Sequence, residues 1–393
     1  MMKSTSKMAL DFKTPPLFLT PDSKETIPSS PDANGMIPMP QRDNMESKNN
    51  ADDVQCRIKL AWADSSESSN DFRSDIFTRP TLPMLESIVH TTLGDCTADE
   101  DKTTVSFQEY VANLVGHESA LLVMSGTMGN QVALRTILRS PPHAILADHR
   151  GHIATLEGGG ATSICGAMVK AIVPSNGHHL TLDDIKEQTI LRETVFDCPT
   201  RVISLENTLS DGARLWEAAA AGACKLSEVG ECFDSIQLCL TKGLGAPLGS
   251  VITGSSVFVK RAKWSRHLLG GGIRSSGIIT APARVAIDDV FFGGKLGWAH
   301  DKARRATDVW LSLGGKVRLP TETNMVWLDL PASGVDRDEF YAVGLNMNLK
   351  ISNSLFVGRL VFHYQVSDAA LTRLCELFRI VLKGRADQAT NGV

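Results

Sequence analysis

The sequence predicts an α/β protein: a large domain with a mostly parallel sheet, followed by a smaller α/β domain. Three observations carry this. Short apolar runs at residues 120–124, 143–147, 201–205, 235–240 and 249–253 alternate with longer, partly helical stretches, the pattern of parallel strands joined by crossover helices. The chain closes on a second strand–helix–strand–helix run after Gly314-Gly315. Its 393 residues allow two domains and a sizeable buried core.

Taken in order, residues 1–69 stand apart. They hold Thr14-Pro15-Pro16, Ser29-Ser30-Pro31-Asp32 and Ser47-Lys48-Asn49-Asn50, too little apolar surface to offset the entropy of ordering, and are expected to be a disordered tail. The large domain is expected over 70–313. Phe107, Tyr110, Val111, Leu114 and Val115 recur at helical spacing, with Thr104 as a candidate N-cap. The run at 120–124 leads through Ser125-Gly126-Thr127 into another helical pattern, and a helix over 301–313 ends at the glycine pair. The small domain, 314–393, reads as a strand at 324–330, a helix near 336–343, a strand at 359–365 and a last helix from Ser367.

Composition excludes several function classes. Forty Lys+Arg against 44 Asp+Glu give a net charge of −4, which argues against a nucleic-acid protein acting through a large basic surface. No apolar run reaches membrane-spanning length and no secretory leader is visible. The eight cysteines are scattered and form no CxxC pair, as expected of reduced thiols in a cytoplasmic protein. His178-His179 lies in a glycine-containing turn without carboxylate company, so no metal site is expected.

Three fragments carry chemistry. Lys242 follows an apolar strand and precedes the turn Gly243-Leu244-Gly245. Desolvation there lowers an amine pKa and leaves it nucleophilic, as a Schiff-base lysine requires; the competing reading is a surface lysine in a loop. Ser125-Gly126-Thr127 sits between strand and helix, where backbone N–H groups and the Thr127 hydroxyl suit a phosphate; an ordinary capped turn needs the same residue types. Asp211, three residues before Arg214, suits a carboxylate that keeps a pyridine nitrogen protonated, or else a simple Asp turn.

Together these fragments resemble the low-specificity threonine aldolases. The likeness rests on Asp71-Phe72-Arg73-Ser74-Asp75, Met124-Ser125-Gly126-Thr127-Met128-Gly129-Asn130, Ser204-Leu205-Glu206-Asn207-Thr208, Asp211-Gly212-Ala213-Arg214-Leu215-Trp216, residues 239–249, and Gly270-Gly271-Gly272-Ile273-Arg274, in order from about residue 72 onward. The resemblance implies the fold type I of pyridoxal 5'-phosphate (PLP) enzymes. It implies cleavage of L-threonine and L-allo-threonine to glycine and acetaldehyde, with β-elimination or racemisation as alternatives on the same cofactor. It also implies a homo-oligomer, a dimer of dimers. Lys242 matches the Schiff-base lysine, Ser125, Gly126 and Thr127 the phosphate turn, and Asp211 the partner of the pyridine nitrogen. Arg214 matches an arginine near the cofactor oxygen and the substrate carboxylate. Ser74 and Arg359 match further carboxylate contacts, and Arg274 an arginine reaching a neighbouring subunit's phosphate. His152 matches the histidine stacked on the cofactor and, with an ordered water, is a candidate base; His149 is its competitor.

Two departures accompany the likeness. The family commonly has a second histidine before the Ser204–Thr208 stretch, where this chain reads Val195-Phe196-Asp197-Cys198-Pro199. Only Leu209 and Ser210 separate Thr208 from Asp211, where the family has a helix and the strand that delivers the aspartate. Three steps span at most about 10 Å, and a parallel crossover needs about a dozen residues. Either residues 201–206 slide into the missing strand's place, or Asp211 lies displaced; either way apolar sheet surface loses its cover. Three readings follow: an aldolase with a rebuilt site, an aldolase-like protein with weak or lost activity (a binding or non-catalytic subunit), or an incomplete chain of an ordinary aldolase.

Overall fold

The computed structural model describes residues 68–207, 214–353 and 356–390, with side chains to residue 383. The expected tail lies outside the described residues except for Ser68 and Ser69, which are docked: the Ser68 hydroxyl donates to Gln365 at 2.9 Å and the Ser69 carbonyl accepts from the Ser367 N–H at 3.0 Å.

Among the described residues nine strands form three sheets of three. They are β1 (Ser119–Val123), β2 (Ala144–Asp148), β3 (Met168–Ile172), β4 (Thr200–Ser204), β5 (Ser235–Cys239), β6 (Ser250–Gly254), β7 (Val317–Leu319), β8 (Met325–Leu328) and β9 (Arg359–Val361). In the order β3-β2-β4 both pairings are parallel. In β1-β6-β5 the central strand runs against both neighbours, and the C-terminal sheet β7-β8-β9 is antiparallel. All five apolar runs of the large domain are strands; β3 and β7 were not foreseen, because Met168–Ile172 and Val317–Leu319 are short and largely exposed.

Helices cover both faces of β1-β6-β5. The seven that matter are α1 (Lys102–Val115), α2 (Gly126–Ile137), α3 (Leu215–Ala220), α4 (Ser256–Leu268), α5 (Lys295–Ser312), α6 (Arg337–Asn346) and α7 (Asp368–Thr390). Strand alternation decides which residues meet them. Ala120, Leu122, Ile236, Leu238 and Val251 face Phe107 and Val111 of α1 and Leu215 and Trp216 of α3. Leu121, Val123 and Ile252 face Val132 of α2 and Val259 and Ala262 of α4. The cap of α1 is Asp101, not Thr104: its carboxylate accepts the Thr104 N–H at 3.1 Å, so the helix begins earlier than the apolar pattern suggests.

A second core gathers Trp310 of α5, Phe340 of α6 and Phe378 of α7, all buried, with the Trp310 and Phe378 rings edge to face at 4.9 Å. It also takes in Phe72, whose N–H donates to the Lys350 carbonyl at 2.8 Å while its carbonyl accepts from the Val361 N–H at 2.9 Å. Residues just after Phe72 are thereby pinned beside β9.

The short link has a visible consequence. β4 pairs with β2 and not with β5, so it has not slid beside the lysine-bearing strand. The Arg214 N–H donates to the Asn207 carbonyl at 2.8 Å, and the six residues between them are fewer than the dozen or so that a parallel crossover needs. Among the described residues the large domain's strands form two separate sheets. Ile203 on β4 is 44% exposed and Leu205 47%, apolar surface that a covering helix would bury. Ile203→Lys is therefore expected to change stability by less than about 0.5 kcal/mol and to reduce aggregation, read by chemical denaturation and light scattering; a loss of several kcal/mol would show that β4 is covered.

Candidate functional site

The site is organised by the segment that Phe72 pins. Ser74 caps the short turn Asp75–Phe77, its hydroxyl accepting from the Ile76 N–H at 3.4 Å. Asp75 is completely buried. Its carboxylate accepts the Arg214 Nε at 2.8 Å, the Arg214 Nη2 at 2.6 Å and the Asn324 Nδ2 at 3.2 Å. Burial opposes ionisation, but the Arg214 charge, its hydrogen bonds and the Lys242 charge hold the carboxyl below the usual range. The Thr78 hydroxyl donates to the Lys242 carbonyl at 3.2 Å and to the Asp75 carbonyl at 2.9 Å, tying the lysine loop to the same segment.

Lys242 follows β5. The next residue must be small, because a Cβ on Gly243 would lie 2.1 Å from Glu217 Oε1, and Gly245 has φ +73. Glu217, on α3, is buried beside His300 of α5, 2.6 Å from its Nε2. Burial pushes the Glu217 carboxyl up, against the His300 hydrogen bond.

His152 opens the short helix His152–Thr155 that follows β2. Its Nδ1 is 2.8 Å from Glu157 Oε1, and its backbone N–H donates to Glu206 Oε2 at 2.5 Å. Asn130 and Gln131 of α2 each donate to Glu157 at 2.6 Å, fixing the carboxylate that fixes the ring. The Glu157 hydrogen bond raises the His152 pKa; partial burial and the Lys242 charge oppose this, and the Glu157 and Glu206 charges add to it. Lys242 thus acts electrostatically on both His152 and Asp75. His149 turns away, its Nδ1 3.3 Å from the Ile172 carbonyl.

Arg359, at the start of β9, is buried; its Nη2 donates to the Arg73 carbonyl at 3.3 Å and its guanidinium lies 4.1 Å from the Phe356 ring centre. Ser125 caps α2, accepting the Met128 N–H at 3.1 Å, with Gly126 and Thr127 in the first turn. Arg274 stands apart: its side chain is 81% exposed and pairs with Asp95. Asp211 lies outside the described residues. Sequence reasoning assigned no role to Asp75, Glu157, Glu206, Glu217, His300 or Asn324. Asp75, Glu157 and Glu206 stood inside or beside quoted motifs; Glu217, His300 and Asn324 carried no local signal, being buried partners from distant elements.

Comparison with known proteins bears on the family and the fold. Residues 71–210 and 208–333 match the beta-eliminating lyase family, in two pieces that meet at the short link. The chain is 41% identical over 369 residues to aldolase vrtJ of Penicillium aethiopicum, covering 87% of this chain and 93% of that protein. It is 39% identical over 333 residues to the low specificity L-threonine aldolase of Saccharomyces cerevisiae, covering 78% and 85%. The fold matches that of Leishmania major threonine aldolase at a TM-score of 0.68 and 17% identity, over 79% of this chain and 99% of the other. This is the PLP-dependent fold type I.

Two outcomes follow from the geometry. Arg214→Met leaves the Asp75 carboxylate buried without its cation and should cost about 3–5 kcal/mol, read by chemical denaturation; an unchanged midpoint would show that the pair carries no stability. Glu157→Gln should lower the His152 pKa, read by NMR titration of the ring. Because folding raises this pKa above the ordinary 6.5, the interaction's stability is fully present below pH 6.5 and is lost as pH rises through the folded-state value. An unmoved titration midpoint would remove Glu157 from that role.

Proposed function

Because the chain belongs to the beta-eliminating lyase family, as a threonine aldolase-like PLP-dependent lyase, we propose that it cleaves β-hydroxy amino acids at Cα–Cβ, with L-threonine and L-allo-threonine giving glycine and acetaldehyde. The observation that carries this is that the Lys242 charge bears on both His152 and Asp75, while the Thr78 hydroxyl ties the Lys242 carbonyl, at 3.2 Å, to the segment that holds Asp75. The residues fit PLP. Lys242 offers an amine at a strand end. The first turn of α2 offers N–H groups for a phosphate, above buried side-chain donors that no group among the described residues satisfies. His152 offers an imidazole held at Nδ1 by Glu157. Bound there, PLP supplies a ring that draws the electron pair released when Cα–Cβ breaks.

The chain's own groups do the rest. Arg359 binds the substrate carboxylate by charge-assisted hydrogen bonds, and Ser74 adds a hydroxyl beside it. Arg214, held on Asp75, keeps a buried positive charge at the edge of the site, and the family resemblance assigns the pyridine nitrogen to Asp211. His152 takes the β-hydroxyl proton at Nε2, since Glu157 occupies Nδ1; its raised pKa makes it a stronger base once deprotonated. Holding the carboxylate and the hydroxyl at two points orients the bond to be broken. Arg274, projecting from the surface, reaches the phosphate of a second copy in a dimer of dimers.

Lys242→Ala should abolish both the visible absorption band that PLP gives with the wild-type protein and the formation of glycine from L-threonine. Turnover unchanged in that variant would remove Lys242 from the reaction. L-alanine in the same assay, scored for D-alanine, separates racemisation from cleavage. Run across size-exclusion fractions, the assay should find monomers inactive; an active monomer would remove Arg274 from the neighbour's site.

A further inference from the structure

The face of β1-β6-β5 beneath α2 is apolar along most of its length, lined by Leu121, Val123 and Ile252 under Val132. Its end under the helix N-terminus is not. There β5 contributes Gln237 and β6 contributes Ser250, on the same face as Ile252 by strand alternation. Gln237 runs beneath the first turn of α2. A Cβ on Gly129 would lie 3.0 Å from its Cγ, and a Cβ on Gly126 would lie 3.4 Å from its Nε2 and 3.7 Å from Ser250 Oγ. The two glycines, one turn apart, therefore open the channel that lets this amide reach the helix N-terminus.

Gln237 Nε2 and Ser250 Oγ are both buried and neither has a hydrogen-bond partner among the described residues. Ser250 is completely buried. A buried donor left unsatisfied is costly, and two side by side under a helix N-terminus are rare unless a ligand completes them. Ser125 Oγ caps the helix by accepting the Met128 N–H, so it adds an acceptor and leaves the donors beneath the turn unanswered. The chemistry asked for is a group rich in acceptors and negatively charged, which the helix dipole favours at this end.

We infer that Gln237 and Ser250 form the floor of a phosphate site whose roof is the first turn of α2, each donating to a phosphate oxygen. The inference rests on the reading of the chain as a PLP enzyme and extends the phosphate contacts beyond Ser125, Gly126 and Thr127 to two residues of the sheet. The floor recognises the phosphate and not the ring.

The test uses the full-length protein freed of cofactor, with PLP, pyridoxal and inorganic phosphate as separate probes in equilibrium binding. Gln237→Leu keeps the bulk of the side chain and removes the donor; Ser250→Ala removes the hydroxyl. Each should weaken PLP and inorganic phosphate by roughly tenfold and leave pyridoxal unchanged, while circular dichroism confirms the fold. Equal affinity of both variants and wild type for PLP and phosphate would overturn the floor. Loss of pyridoxal binding in parallel would also overturn it, by showing general damage. Wild-type protein that binds phosphate through Gln237 but not PLP would uphold the floor and defeat the proposed function. Protein that binds neither would defeat both.

Discussion

Asp75 is the carboxylate on which the site depends. It is completely buried, yet it meets Arg214 from the start of α3, Asn324 from just before β8 and the field of Lys242 from the loop after β5. Three stretches far apart in sequence are drawn to one charge. The cost of burying that charge is offset only because two guanidinium hydrogen bonds and an amide reach it together. It can be there at all because the Phe72 backbone bonds to Lys350 and Val361 and Phe72 packs in the C-terminal core. Packing of an aromatic ring in one core thus fixes an electrostatic centre at the edge of another.

The second organising fact is the division of the sheet. Parallel strands are normally buried on both faces and flanked by neighbours. Among the described residues β4 has β2 on one side only, and β5 has β6 on one side only. The two sheets still carry the site's residues at their ends: Lys242 after β5, His152 after β2, Glu206 after β4. The Glu206 carboxylate accepts the His152 backbone N–H, which spans the ends of β4 and β2 within one sheet. Lys242 belongs to the other. Helix α2 joins the two: its Val132 packs on β1 and β6, its Leu134 packs on β2, and its Asn130 and Gln131 hold Glu157.

Much of this was legible in the sequence. Four of the five apolar runs of the large domain are strands whose Leu, Ile and Val are buried; the fifth, β4, exposes Ile203; and Ser125-Gly126-Thr127 opens a helix because the serine caps it. The break after Thr208 reads as a missing crossover once the longer link implied by the family resemblance is set beside the few steps available here. The Asp75–Arg214 pair was not legible: each residue lay in a quoted motif, but nothing in either motif says that they face one another. Thr104 was mistaken for a cap because its own helix buries it, while Asp101 three residues earlier does the capping. Gln237 reads as an ordinary polar residue in an alternating strand; only the glycines above it reveal what it reaches.

The two flanks of the short link are fixed although the link is too short for a strand and its crossover. Asn207 and Arg214 are joined at 2.8 Å. The Arg214 guanidinium is held on buried Asp75, and Glu206, next to Asn207, accepts the His152 N–H. The junction therefore ties the end of β4 to the start of α3 and reaches Asp75 on one flank and His152 on the other. A side chain locked by buried hydrogen bonds keeps its place without a neighbouring strand. Buried charge pairs thus hold at this point what a ladder of strand hydrogen bonds holds elsewhere in the sheets.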